Sequence, residues 1–146
     1  MKLHVANTTL WVRDQEEALT FFKKLGFDVR EDVKNGEYRW LSVASKEQPD
    51  LGIVLAKPGF PMDAETAEQV STAVAKGMLS SLVFTTDDCR ATYEQLNSRG
   101  IEFTSAPQDH GYGVDAAFRD PSGNEFRVLQ PKLAGSAQKQ GAAAGR

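Results

Sequence analysis

The chain switches between two hydrophobic rhythms, and each switch marks an element. Residues 5–12 are rich in β-branched and aromatic side chains and predict a strand. Asp14 then opens a segment in which Ala18, Phe21, Phe22 and Leu25 recur at helical spacing. Asp14 is a favourable N-cap, Glu17 completes a capping-box-like pattern, and Gly26 stands where a helix-ending glycine belongs. Strand patterning returns over residues 27–33 and 38–43, and the Asn35-Gly36 pair between them predicts a hairpin turn. A further short strand is expected over residues 51–56, stopped by Pro58-Gly59-Phe60-Pro61.

The same order of signals then recurs. Residues 79–86 read as a strand, Asp87-Asp88 opens a helix carrying Ala91, Tyr93 and Leu96, and Gly100 ends it. Strands are expected over 101–104, 114–118 and 126–129, with the tight turn Asp120-Pro121-Ser122-Gly123-Asn124 before the last. Asp14 and Asp88 stand 74 residues apart, and so do Gly26 and Gly100. Two tandem βαβββ modules are the simplest reading, and the fold class is α+β. The expected organisation is a first module over residues 1–56, a connection over 57–78, a second module over 79–131 and a tail over 132–146, together one compact domain. The connection has few apolar positions and reads as a mobile linker with at most a short helical piece. The tail, rich in Gly, Ser, Gln and Ala, lacks periodicity and reads as disordered.

Composition narrows the function. The 146 residues are 40% hydrophobic and 25% charged, an ordinary globular balance, and the net charge is −3. An acidic chain with no basic block argues against nucleic-acid and anionic-membrane binding. No apolar run approaches the roughly 20 residues of a bilayer span, and the start lacks the apolar stretch of a secretory signal. The single cysteine, Cys89, has no internal disulfide partner, so a reducing cytoplasm is the expected location. Two histidines, His4 and His110, are too few for a three-histidine metal site.

Val12-Arg13-Asp14, Phe21-Phe22-Lys23-Lys24-Leu25-Gly26-Phe27 and Asp120-Pro121-Ser122-Gly123-Asn124 resemble the vicinal oxygen chelate superfamily, over roughly residues 3–131. That superfamily includes glyoxalase I, bleomycin-resistance proteins and extradiol dioxygenases. The resemblance implies that each module's sheet curves around a ligand cleft with the helices outside, often in a homodimer. By strand parity Leu10 and Val12 are core, so Asn7, Thr9 and Trp11 line the concave side. Likewise Leu82 and Phe84 pack inward, leaving Ser81, Val83 and Thr85, while Gly52, Val54, Glu125, Arg127 and Leu129 take the cleft side of their strands. The four positions that carry metal ligands in the superfamily's metalloenzymes fall here on Asn7, Gly52, Ser81 and Arg127. An amide, a bare backbone, a hydroxyl and a permanent cation do not make a transition-metal site, so no metal and no cofactor are expected.

His4 has the wrong parity for the cleft. His110 lies in the polar stretch Gln108-Asp109-His110-Gly111-Tyr112-Gly113, where it reads either as a solvated loop residue or, with Tyr112, as a cleft-mouth contact. It is also the best general-base candidate. Arg127 reads either as a clamp for an anionic ligand oxygen or as the partner of Glu125 or of an acid on a neighbouring strand. Trp11 and Trp40 offer flat apolar surface to a planar ligand or else fill the cleft floor or a dimer seam, and Phe60 is a candidate rim aromatic. Cys89 reads as a partly buried bystander. The leading expectation is a metal-independent small-molecule binding protein similar to the bleomycin-resistance branch, using Asn7, Trp11, Trp40, Phe60, Ser81, Tyr112 and Arg127. The alternatives are a glyoxalase- or dioxygenase-related lyase or isomerase, using acid–base chemistry through His110 or Glu125 or a non-standard metal site, and a module that only pairs with a protein partner.

Overall fold

Both predicted helix starts are capped as their sequences require. In a computed structural model describing residues 1–79 and 82–132, Asp14 accepts the Glu17 backbone N–H at 2.9 Å and Asp88 accepts that of Ala91 at 3.0 Å. The first module runs β1 (Asn7–Trp11), α1 (Gln15–Lys24), β2 (Asp28–Asn35), β3 (Tyr38–Ala44) and β4 (Gly52–Ala56), followed by α2 (Ala64–Ala75). The second runs β5 (Val83–Thr85), α3 (Cys89–Ser98), β6 (Glu102–His110), β7 (Gly113–Arg119) and β8 (Glu125–Pro131). The fold is α+β, with two mixed four-stranded sheets ordered β1-β4-β3-β2 and β5-β8-β7-β6. In each, the first strand pairs parallel to the last strand of its module and the other pairings are antiparallel. No described helix is long and apolar enough to cross a membrane.

The chain divides into two units, Met1–Ser80 with Asp120–Asn124, and Ser81–Arg119 with Glu125–Arg146. In the first, α1 buries Ala18, Leu19, Phe21 and Phe22; Leu10, Leu41, Val43, Ile53 and Leu55 are buried on the strands, and Val12 is buried just after β1. In the second, Phe84 meets Phe118 at 6.0 Å and Phe126 at 5.8 Å between ring centroids, and α3 contributes Cys89 and Leu96. Rings at these separations gain from edge-to-face and offset contact beyond their buried area.

Residues 57–78 are more structured than their sparse apolar pattern suggested. Asp63 caps α2 through the Thr66 backbone N–H at 2.8 Å, and Val74 is the helix's buried residue. A good cap on an alanine-rich segment, with one anchoring side chain near the other end, replaces the wide apolar stripe expected of a helix. The strand expected over residues 101–104 continues to His110, so His110 ends a strand and pairs with Gly113 across the Gly111-Tyr112 turn. Pro107 is accommodated because the β6–β7 register shifts between Ser105 and Gln108, where no ladder N–H is needed. Strand β5 is shorter than the predicted 79–86. The tail beyond residue 132 and Ser81 lie outside the described residues.

The turn from Asp120 to Asn124 is the most fully bonded piece of the first unit. Asp120 Oδ1 accepts the backbone N–H groups of Ser122, Gly123 and Asn124 at 3.0, 2.9 and 2.8 Å. Asn124 is fully buried and donates from Nδ2 to the Trp11 carbonyl and to Asp120 Oδ2, both at 2.9 Å. Gly123 has φ +110°, and a Cβ there would press on the Val74 and Ala75 carbonyls at the end of α2. Asn124→Ala should therefore strip buried acceptors of their donor and cost about 2 kcal/mol. A lower urea midpoint with an unchanged slope would show it.

Candidate functional site

The register of the first sheet decides which side chains share its second face. Pairing places Asn7 beside Gly52, Thr9 beside Val54 and Trp11 beside Ala56, and Val54 in turn beside Ser42. Period two then adds Trp40 and Tyr38 to that face. A cleft of about 870 Å³ opens in this unit, with Trp11, Tyr38, Val54, Phe60, Pro61 and Met62 among its lining. Phe60 is 87% exposed, an aromatic ring standing at the edge with almost none of its surface covered. Gln15 at the start of α1 braces the wall, donating to the Leu55 and Arg39 carbonyls at 2.8 and 3.1 Å. Arg39 is bound by Asp32, with both contacts at 2.9 Å, and by Glu16, and these carboxylates raise its pKa.

Trp40 and Asn7 share the face but belong to a polar network rather than to the cleft lining. The β2–β3 register shifts between Val29 and Glu31, which lets Arg30 and Glu31, neighbours in sequence, both reach this side. Trp40 Nε1 donates to Glu31 Oε1 at 2.9 Å, and Arg30 Nη1 donates to Asn7 Oδ1 at 3.3 Å. The superfamily's metal positions can be tested here on their chemistry. Gly52 offers no side chain, and a Cβ built on it would collide with Asn7 Oδ1 and lie 3.1 Å from Arg30 Nη1. Asn7 already faces a guanidinium. Arg127 is itself a cation, and Ser81 lies outside the described residues. A divalent ion would meet positive charge where it needs carboxylate or imidazole, so these residues do not fit a metal.

In the second unit, three of the sequence-predicted residues converge on one that the sequence reading missed. Asp115 on β7 is 4% exposed, and its Oδ2 accepts from Arg127 Nε and Nη2 at 3.0 and 2.6 Å and from the Tyr112 hydroxyl at 3.1 Å. Its Oδ1 lies 3.1 Å from His110 Nε2. Asp115 pairs with Leu129 and Ala117 with Arg127, so the Arg127–Asp115 contact is a diagonal on one face of the β7–β8 pair. Among the readings open for Arg127, the structure shows a partner acid on a neighbouring strand. The available signal for Asp115 was a lone carboxylate inside the apolar run 114–118, which can be buried only with a partner. His110 and Tyr112 stack with centroids 4.9 Å apart and planes 8° off parallel. Cys89 is fully buried and burial pushes its thiol up, away from thiolate chemistry.

Burial alone would raise the Asp115 carboxyl, but the Arg127 hydrogen bonds and charge, with help from Tyr112 and His110, outweigh it and hold it below the usual 3.8. The ionised form is therefore favoured by folding. The stability it supplies is present above the ordinary carboxylate value and fades as pH falls through the lowered one. Asp115→Asn should accordingly narrow the stability gap between neutral and acid solution. Urea unfolding of both proteins at pH 7 and near pH 3 measures that gap, and an equally wide gap in the two would contradict the assignment.

Known proteins share this architecture. A crystal structure of UcmS2 superposes with a TM-score of 0.83 at 38% identity, covering 89% of this chain and 99% of that one. TnmS3, an antibiotic binding protein from Streptomyces sp. CB03234, superposes with a TM-score of 0.71 at 32% identity, over 90% and 98% of the two chains. The bleomycin resistance determinant encoded on the transposon Tn5 gives 0.61 at 26% identity, over 90% and 100%. Residues 3–128 match the Glyoxalase/Bleomycin resistance protein/Dioxygenase superfamily, and the chain belongs to it.

Proposed function

We propose that this protein is a metal-independent binding protein that holds planar or aromatic small molecules in the cleft of its first unit. The observation that carries the reading is the lining itself, in which Trp11, Tyr38 and Phe60 present ring surface around about 870 Å³. A space of that size suits a drug-sized ligand, and flat rings bury much area at little entropic cost. The similarity to an antibiotic binding protein and to a bleomycin resistance determinant supports the binding role. Metal independence draws on the side chains at the expected metal positions, where Asn7 is engaged by Arg30, Gly52 is bare and Arg127 is a cation.

The finer parts of the reading follow the same logic. Trp11 and Phe60 contact the ligand, while Trp40 and Asn7 stiffen the sheet face beside it. A homodimer is supported by the exposed edge strand β2, which leaves Val29 and Val33 at 41% and 58% exposure. A cytoplasmic location suits the buried reduced Cys89, and the net charge of −3 suits a ligand other than nucleic acid. Titration with a panel of neutral planar aromatics, followed by tryptophan fluorescence, tests the central claim. Phe60→Ala and Tyr38→Ala should each weaken binding about tenfold, the loss of one ring contact. Unchanged affinities in both variants would show that the cleft is not the site. Binding should also survive dialysis against a chelator, and one zinc or nickel ion retained per chain would end the metal-independent reading.

A further inference from the structure

The cleft of the first unit holds one polar group whose direction the backbone has already fixed. Gln15, at the start of α1, lines that cleft and is half-buried. Its amide nitrogen carries two hydrogens, and both are engaged on the wall, with the Leu55 carbonyl at 2.8 Å and the Arg39 carbonyl at 3.1 Å. Turning the amide over would set Oε1 against those two carbonyl oxygens, lone pair against lone pair, so the nitrogen stays on the wall. Oε1 itself accepts no hydrogen bond from the described residues. Among those residues no side-chain oxygen that lacks a partner is sealed from solvent, so Oε1 is open to an incoming molecule. The other polar side chains of the lining are less determinate. Arg39 is engaged by Asp32 and Glu16, and Asn35, Glu37 and Lys57 are exposed, where water competes for them. The Tyr38 hydroxyl rotates and can donate or accept. Gln15 offers a lone pair and no hydrogen.

We propose, resting on the binding role given above, that Gln15 Oε1 sets the ligand class of the cleft. The class is planar aromatics that carry an N–H or O–H donor at the ring edge, in preference to isosteres that carry an acceptor there. A donor gains a hydrogen bond to an oxygen that folding has already ordered, so little further entropy is lost when it binds. An ether oxygen in the same place meets a lone pair, and the amide cannot turn to answer it, because its nitrogen is held by β3 and β4. The rings of Trp11, Tyr38 and Phe60 supply the contact area, and Gln15 discriminates among the molecules that fit between them.

Carbazole and dibenzofuran make the test, since they share a shape and differ in a ring N–H against a ring oxygen. With the full chain at neutral pH, carbazole binding is followed by the anisotropy of its own fluorescence, excited where tryptophan does not absorb. Dibenzofuran is then measured by its displacement of carbazole. Carbazole should bind about tenfold tighter, the gain of one hydrogen bond. Gln15→Leu has similar bulk but neither acceptor nor donor, so it should make the two affinities equal. A side chain that only braced the wall would instead weaken both compounds alike and leave their ratio intact. Equal affinities in the wild type, tighter binding of dibenzofuran, or a preference that persists in Gln15→Leu would overturn the proposal. The wild-type comparison decides even if Gln15→Leu folds poorly. Equal affinities that Phe60→Ala lowers together would leave the cleft standing and remove Gln15 alone, whereas no binding of either compound would end both readings.

Discussion

Burial of one row of apolar side chains fixes the direction of almost every other side chain in the first unit. Leu10, Val12, Leu41, Val43, Ile53 and Leu55 are all at or below 6% exposure, and β3 and β4 pack against α1. Each such side chain is worth roughly 1.5–3 kcal/mol when removed from water, so slipping a strand by one residue would cost more than any polar contact could return. Strand alternation then sends Asn7, Thr9, Trp11, Val54, Ser42 and Trp40 to the other face. The same holds in the second unit, where Phe84, Phe118, Phe126 and Val128 are the apolar row and Asp115 and Arg127 are left opposite.

The faces so exposed are rich in guanidinium groups that already have partners. Arg30 is held by Asn7 and the Pro49 carbonyl, and Arg127 by Asp115, while Arg39, on the side of Leu41 and Val43, is held by Asp32 and Glu16. A guanidinium bonded in this way is oriented and partly neutralised, which makes it a better brace than an anion trap. Aromatic surface is then left as the main resource of the cleft in the first unit. In the second, the same pairing holds a buried carboxylate among Arg127, Tyr112 and His110.

Much of this was legible from residues alone. The caps at Asp14 and Asp88, the glycines that end both helices and the Asn35-Gly36 turn depend on chemistry within a few residues, and each element formed where its signals stood. The 74-residue repeat carried the module count. Helix α2 was undercalled because a short alanine-rich segment anchored by Val74 has no stripe to read. The extension of β6 past Pro107 was invisible because a register shift has no local signature. The neighbours of Arg30 at the β2 irregularity were hidden for the same reason.

Local sequence therefore determined most of the elements, their order and the buried face of β1, β4 and β8, because those follow from local side-chain chemistry and period-two geometry. The tertiary structure alone decided that Asp115 is the partner of Arg127, His110 and Tyr112, and that Phe60 stands exposed at a cleft that Trp11 and Tyr38 also line rather than in the core. Those are distances between residues far apart in the chain or across a turn. They depend on register and on how the backbone bends, and hydrophobic patterning leaves both open.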